Sequence, residues 1–283
     1  MYERIVIIGY GQIANDVLGF VHGRQVHYGY ALEFIEHDIY PFNAMEEICR
    51  AKGVLFKRII DDSELGIYLC TLHETTLIIS ANNNYLFPKE LVRKENITII
   101  NFHNALLPNY PGRNATTWVI YRGEKETGIT WHYVTEGVDE GDIIIQKRYV
   151  IEEDVKAYEL AEALMRLAFE GFMQIFDMVF RGTANRSPQC FVQNRKVYNS
   201  KEIPGNGKFC MTDDPQEIYS LLRSVDYGKM DILPHLRTTY HGEEIEISRY
   251  IKINKEKIKE GPNLLYLPLD ENNVLKMKYK RLL

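Results

Sequence analysis

Arg4-Ile5-Val6-Ile7-Ile8-Gly9-Tyr10-Gly11-Gln12-Ile13-Ala14 decides how this chain begins to fold. The run Ile5 to Ile8 is β-branched and has no polar alternation, so it reads as a strand buried on both faces. Two glycines end it, and apolar residues at helical spacing follow from Gln12 to Val21. Strand, glycine turn and helix in that order open a βαβ unit. The alternation continues. Gly29 to Phe34 reads as a weak second strand, Asn43 to Lys52 as a helix, and Val54 to Ile59 as a strand. Leu77 to Ser80 is another buried strand, Pro88 to Arg93 a short helix, and Ile97 to Phe102 a strand running straight into His103. Strands alternating with helices predict an α/β fold: a mostly parallel, doubly wound sheet with helices on both faces.

Thr127 to Val134 and Asp142 to Val150 read as two more strands. The loop Thr135-Glu136-Gly137-Val138-Asp139-Glu140-Gly141 joins them. Tyr158 to Phe180 is a long amphipathic helix, rich in Ala, Leu, Met and Phe on one face, that would cover the sheet. Beyond Phe180 the composition changes. Gly182, Pro188, Pro204, Gly205 and Gly207 interrupt any periodicity between Arg181 and Lys208. A helix from Pro215 to Val225 follows, then strands at Glu243 to Ile247, Tyr250 to Ile253, Leu264 to Leu267 and Val274 to Tyr279. This pattern divides the chain into a large domain at 1–182, a linker at 183–208 and a small strand-rich C-terminal domain at 209–283.

Bulk properties fit that division. The chain has 283 residues, 45% of them hydrophobic and 26% charged, enough for a sizeable core and not the composition of a disordered chain. A net charge of −5 argues against a broad nucleic-acid surface. Cys49, Cys70, Cys190 and Cys210 are scattered, with no metal spacing, and read as reduced thiols. No apolar run reaches the roughly 18 residues of a membrane span, and the N-terminus lacks the pattern of a signal peptide. A cytoplasmic protein without a membrane partner is the expectation.

Gly9-x-Gly11-x-x-Ala14 after the first strand resembles a dinucleotide fingerprint, and a helix N-terminus there could hold a phosphate. The ribose acid would have to be Glu33 or Glu36, neither of which clearly ends a second strand. A structural turn explains the same glycines. A nicotinamide-linked dehydrogenase therefore rests on Gly9 and Gly11 alone.

More chemistry lies in Asn101-Phe102-His103-Asn104-Ala105-Leu106-Leu107-Pro108-Asn109-Tyr110-Pro111-Gly112-Arg113. Asn101 and His103 are two apart at the end of a strand, so their side chains share one face. Ligands of doubly wound sheets bind beyond the carboxyl ends of strands. Position alone leaves His103 open to a capping or core role and Asn101 to a turn role.

The ordered set Asn-x-His, Leu-Leu-Pro, Pro-Gly and Gly-Val-Asp-Glu-Gly-Asp-Ile, with Asp139 lying 38 residues after Asn101, resembles the folate-dependent formyltransferase family. The resemblance is dense from about Ile99 to Gln146 and thins to a fold-level match over residues 1–98 and 150–180. It implies a Rossmann-like catalytic domain and assigns the catalytic residues as Asn101, His103 and Asp139. Asp142 falls outside that set. The residue types suit formyl transfer to an amine. An Asn N–H can stabilise the oxyanion, a His can take the ammonium proton, and a carboxylate beside the His orients it and raises its pKa. Neither a metal nor a covalent intermediate is required.

The same resemblance implies N10-formyltetrahydrofolate as the donor. Its pterin would lie between Asn84-Tyr85-Leu86-Phe87 and the loop Thr135-Glu136-Gly137-Val138, with plain core packing as the alternative for Leu86 and Phe87. Among acceptors, the loop details Asn104, Arg113 and Asn114, with Trp118 and the Thr130-Trp131-His132 strand, look closest to the sugar N-formyltransferases. Those enzymes act on nucleotide-linked amino sugars in surface-polysaccharide synthesis. Asn104, Arg113, Asn114, Trp118, Tyr121 and His132 are then the substrate-binding candidates, with ordinary packing as the alternative for Trp118, Tyr121 and His132. The C-terminal domain resembles the appended barrel of methionyl-tRNA formyltransferases. However, its 12 Lys and Arg against 12 Asp and Glu from Phe209 onward disfavour tRNA as partner. Dimerisation into a homodimer, substrate binding or neither remain open for it.

Overall fold

The computed structural model describes residues 1–38, 44–191, 195–230 and 232–282. The chain forms two compact units that alternate along the sequence. The first comprises Met1–Gly112, Thr127–Tyr149 and Glu162–Val197, and the second Arg113–Glu126, Val150–Ala161 and Tyr198–Leu283.

The first unit runs β1 (Arg4–Gly9), α1 (Gly11–Tyr28), β2 (Ala31–Glu36), α2 (Met45–Lys52), β3 (Leu55–Arg58), α3 (Asp62–Cys70), β4 (Thr76–Ala81), α4 (Lys89–Val92) and β5 (Ile97–His103). The helix expected from Asn43 begins at Met45, and Asn43 itself lies outside the described residues. After α5 (Ala115–Tyr121), which belongs to the second unit, come β6 (Glu126–Tyr133) and β7 (Ile143–Val150). The chain then enters α6 (Ala157–Phe180).

Seven strands make one sheet in the order β3-β2-β1-β4-β5-β6-β7. The ladders joining β1 to β5 are parallel, while β6 pairs antiparallel with β5. β1 sits between β2 and β4, which is why Ile5 to Gly9 are all buried and the strand reads as an unbroken apolar run. Gly9 pairs with Ala81 at the point where strand order reverses. A Cβ at Gly9 would lie 1.9 Å from the Ala81 carbonyl oxygen, so close packing alone accounts for this glycine.

Period two sorts the sheet side chains into two cores. Val6, Ile8, Ile35, Ile78 and Ile99 face one way and pack with Leu65 and Leu69 of α3 and Leu91 of α4. On the other face α1 and α6 meet through Phe20, whose ring lies edge-on to Phe172 and Phe176 at 5.8 and 5.7 Å. Trp131 of β6 packs on Phe172 and donates its indole N–H to the Ala168 carbonyl at 2.9 Å. α6 thus covers the sheet, as its amphipathic pattern implies.

The second unit holds α5, α7 (Pro215–Ser224), β8 (Arg237–Tyr240), β9 (Glu243–Asn254), β10 (Leu264–Pro268) and β11 (Asn273–Arg281). Its antiparallel sheet has the order β10-β11-β9-β8. Two expected strands merge here into the single β9, whose ladder to β11 shifts register between Lys278 and Tyr279. α7 starts on Asp214, whose carboxylate accepts the Gln216 and Glu217 N–H groups, with Pro215 in the first turn. Its Ile218, Tyr219, Leu221 and Leu222 form one core with Ile245, Ile247, Leu265, Leu275 and Met277.

Candidate active site

β5 delivers Asn101 and His103 to one face of the sheet's C-terminal edge. Its neighbours set what they meet. Asn101 lies opposite Ser80 across the parallel ladder to β4 and opposite His132 across the antiparallel ladder to β6. Ser80 accepts from the Asn83 amide at 3.4 Å, so its hydroxyl donates to Asn101 Oδ1 at 2.7 Å. That bond fixes which end of the Asn101 amide carries nitrogen. Asn101 Nδ2 then points at His132 Nε2, 3.1 Å away. The other ring nitrogen, Nδ1, donates to the Tyr133 carbonyl at 2.8 Å, so Nε2 is placed to accept from Asn101. Among the described residues the second N–H of Asn101 has no protein partner.

Asp139 joins this group from the loop between β6 and β7. Its side chain is 11% exposed, and Oδ2 lies 3.4 Å from His103 Nδ1. Oδ1 lies 3.4 Å from His132 Nε2. The Gly112 N–H donates to Oδ2 at 2.7 Å. Burial would raise the Asp139 pKa, but His103, His132 and the Gly112 bond outweigh it and hold the carboxyl well below its usual range. Asp139 is therefore ionised.

His103 is buried, and burial dominates its titration. The pKa falls below the usual 6.5, although Asp139 and the Tyr110 carbonyl both favour the charged ring. Asp139 does push this pKa up, as the residue types imply, but burial outweighs it. Nε2 meets the Tyr110 carbonyl at 2.9 Å while Nδ1 faces Asp139. A neutral His103 has one N–H for these two acceptors, whereas an imidazolium satisfies both. The ring rests neutral and sits where taking up a proton completes its bonding.

The backbone around Asp139 is unusual. Asp139 adopts φ of 52°, a left-handed conformation that costs a non-glycine residue on the order of 1–3 kcal/mol. Gly141 lets the loop turn against β6, since a Cβ there would lie 1.7 Å from the Tyr133 carbonyl oxygen. Asp142 stands apart from the cluster and pairs with Arg186 at 3.6 Å.

The remaining candidates separate clearly. In the stretch Asn84 to Phe87, Tyr85 is buried and Phe87 packs against the core, but Leu86 is 68% exposed. Asn84 is held by Asp38 through both its backbone and side-chain N–H groups. In the facing loop Thr135 and Gly137 continue from β6, and Val138 is 36% exposed. Glu136 ties this loop to α4 through Arg93 at 2.7 Å and Lys89 at 3.4 Å. Asn104 is half-buried directly after His103. His132, expected to contact substrate, is buried with both ring nitrogens engaged.

Arg113, Asn114, Trp118 and Tyr121 belong to the second unit. There Arg113 N–H donates to the Tyr198 carbonyl at 2.8 Å, Asn114 precedes α5, and Trp118 is buried against Tyr198 with ring centroids 4.5 Å apart. Tyr121 is exposed beside Trp118. Three further residues escaped sequence reasoning. Ser80 faces Asn101, and Gln189 and Arg195 bond the Asp139 loop from a segment without periodicity. Only strand register could have pointed to Ser80, and nothing in the spacing marks the other two.

Residues 57–176 match the formyl transferase family model. The chain is 27% identical over 211 residues to the methionyl-tRNA formyltransferase of Clostridioides difficile, covering 74% of this chain and 65% of that protein. It is 28% identical over 169 residues to the GDP-perosamine N-formyltransferase of Brucella melitensis, covering 58% of this chain and 65% of that protein. The match thus spans less than two thirds of these relatives' length. In fold, an N-formyltransferase from Helicobacter canadensis in complex with folinic acid and dTDP-3-aminofucose superposes with a TM-score of 0.74 at 16% identity, covering 99% of this chain and 100% of that one. Asn101, His103 and Asp139 are thus gathered inside the segment of the chain that is similar to the formyl transferase family model.

Proposed function

We propose that this chain transfers a formyl group from N10-formyltetrahydrofolate to the amino group of a nucleotide-linked amino sugar. The observation that carries the reading is the buried cluster of Asn101, His103 and Asp139, in which one Asn101 N–H is left for an incoming group. The amine nitrogen attacks the formyl carbon, and the carbonyl electrons move to oxygen. The spare Asn101 N–H meets that oxyanion. Removing one such donor typically costs about 100- to 1000-fold in rate. His103, neutral at rest, takes the ammonium proton, and the imidazolium is then held by Asp139 and the Tyr110 carbonyl. Collapse of the tetrahedral centre breaks the bond to N10 of the carrier, which leaves with a proton as tetrahydrofolate, and the product is a formamide.

Leu86 and Val138 present exposed apolar surface on the two loops, which suits the flat face of a pterin, while the loop backbones can meet its hydrogen-bonding edge. In this reading Asn84, Tyr85, Phe87, Thr135, Glu136 and Gly137 shape the donor pocket behind them. His132 is buried and its Nε2 accepts from Asn101 Nδ2, so we assign that ring to positioning within the cluster instead of sugar contact. Asn104, Arg113, Asn114, Trp118 and Tyr121 remain the candidates for the nucleotide-sugar. A cytoplasmic role in making surface polysaccharides follows from that acceptor.

A second reading, formylation of methionyl-tRNA, is favoured by the Clostridioides difficile relative. The balanced charge from Phe209 onward weighs against it. Turnover of N10-formyltetrahydrofolate against a panel of nucleotide-linked 3- and 4-amino sugars, beside initiator methionyl-tRNA, separates the two. His103→Ala and Asp139→Asn should lose turnover while still folding and binding 5-formyltetrahydrofolate. Near-normal rates for either variant would sink the mechanism.

A further inference from the structure

We infer that Gln189 and Arg195 are positioning residues that clamp the Asp139 loop and so aim its carboxylate at His103. The inference rests on the reading of Asn101, His103 and Asp139 as the catalytic group. Arg195 Nη2 donates to the Val138 carbonyl at 3.1 Å and to the Asp139 carbonyl at 3.0 Å. Its Nη1 pairs with the Glu140 carboxylate at 3.0 Å. Gln189 Nε2 donates to the same Asp139 carbonyl at 3.0 Å and to the Gly141 carbonyl at 2.7 Å. Five bonds from two side chains therefore hold four consecutive residues, Val138 to Gly141.

The details favour a dedicated clamp over incidental packing. Both Gln189 contacts are carbonyls, so only its N–H end can face them. Its Oε1 is buried without a partner among the described residues, which leaves those two N–H bonds as what the amide does. The Arg195 side chain is only 9% exposed, so its charge is committed to this loop. What the clamp grips is the one residue that adopts φ of 52° while carrying the carboxylate between two histidines. A left-handed residue persists only when its surroundings over-determine it. Releasing the Asp139 carbonyl lets the peptide relax, and Oδ2 then leaves His103 Nδ1. A misplacement of about 1 Å can lower a rate on the order of 100-fold.

The experiment measures kcat and KM for Gln189→Ala, Arg195→Met and Arg195→Lys, using N10-formyltetrahydrofolate and the best acceptor from the panel. His103→Ala and Asp139→Asn serve as references. Both clamp truncations should lower kcat roughly 10- to 100-fold with the acceptor KM within about twofold. Arg195→Lys should recover part of the loss, since an ammonium can reach one carbonyl but not all three groups. In an Asp139→Asn background, Arg195→Met should change the residual rate by less than about twofold, because the carboxylate it aims is gone. Unchanged kcat in both clamp truncations, alongside dead His103→Ala and Asp139→Asn references, would overturn the clamp and leave the catalytic reading standing. A full multiplicative loss in the double variant would also overturn it. Active references would instead overturn the catalytic reading, and the clamp with it.

Discussion

Asn101 and His132 lie directly opposite each other on the antiparallel ladder of β5 and β6, with Nδ2 and Nε2 3.1 Å apart. Opposed residues in such a ladder project to the same face, so register alone brings them together. With Ser80 holding the other end of the amide, Asn101 is fixed at both its oxygen and one of its hydrogens. Only the remaining N–H can address a ligand.

That arrangement predicts the effect of His132→Phe. The aromatic volume stays, but the acceptor for Asn101 is lost and the amide can rotate. We expect kcat to fall about 10-fold or more, short of the roughly 100- to 1000-fold expected from deleting the donor itself with Asn101→Ala. Steady-state kinetics on both variants check this, and equal rates for His132→Phe and the parent protein would refute the positioning role.

His103 predicts the pH dependence. Burial lowers its pKa below the usual 6.5, so activity that needs the neutral ring should rise with pH through a midpoint below 6.5 and level off above. Stability follows the same sense. The unfolded chain takes up a proton near pH 6.5 while the folded one resists, so acidification below that value destabilises the fold through this group. Asp139 opposes the lowering, and Asp139→Asn should move the His103 midpoint lower still, as read by NMR titration of its ring. An upward movement would contradict the ion-pair geometry.

Gly141 carries a purely steric prediction. An alanine Cβ would sit 1.7 Å from the Tyr133 carbonyl oxygen, which is backbone and cannot swing aside. Gly141→Ala should destabilise the protein by about 1–3 kcal/mol or more, and the shifted loop should carry Asp139 away from His103. Thermal unfolding measures the first effect, at roughly 2–4 °C per kcal/mol for a chain of this size class. A Tm equal to the parent's would show that the loop has room.

The motif made Asn101, His103 and Asp139 legible because their identities and order are properties of the sequence. What surrounds them was not, because pairing register is not written in any one segment. Ser80 and His132 reach Asn101 across two different ladders, one parallel and one antiparallel. Gln189 and Arg195 lie 50 and 56 residues from Asp139 in a segment whose glycines and prolines suggest only a linker. The fold was legible where apolar runs are long, as in β1, β4 and α6. α5 was missed because Thr116, Thr117, Val119 and Ile120 are β-branched and favour extended backbone, yet all four are buried and packing overrides propensity. α3 was missed for a related reason. Gly66 weakens it, and its start depends on Asp61 accepting the Glu64 N–H.

Acceptor choice makes the last prediction, through salt. A protein that grips tRNA neutralises several phosphates, and each contact steepens the fall of affinity with added salt. Lys276, Lys278, Lys280 and Arg281 lie along β11, but Lys280 pairs in register with Glu246, and Arg281 bonds Glu243 at 3.2 Å. Lys252 is likewise engaged by Asp154 at 3.1 Å, and Lys208 by Glu244 at 2.9 Å. Several of the cations are thus balanced locally, consistent with the zero net charge from Phe209 onward. Binding to initiator methionyl-tRNA should be weak at low salt and lost by about 150 mM, with a shallow slope of log Kd against log salt. Tight binding with a steep slope would move the acceptor to tRNA and leave the chemistry of Asn101, His103 and Asp139 unchanged.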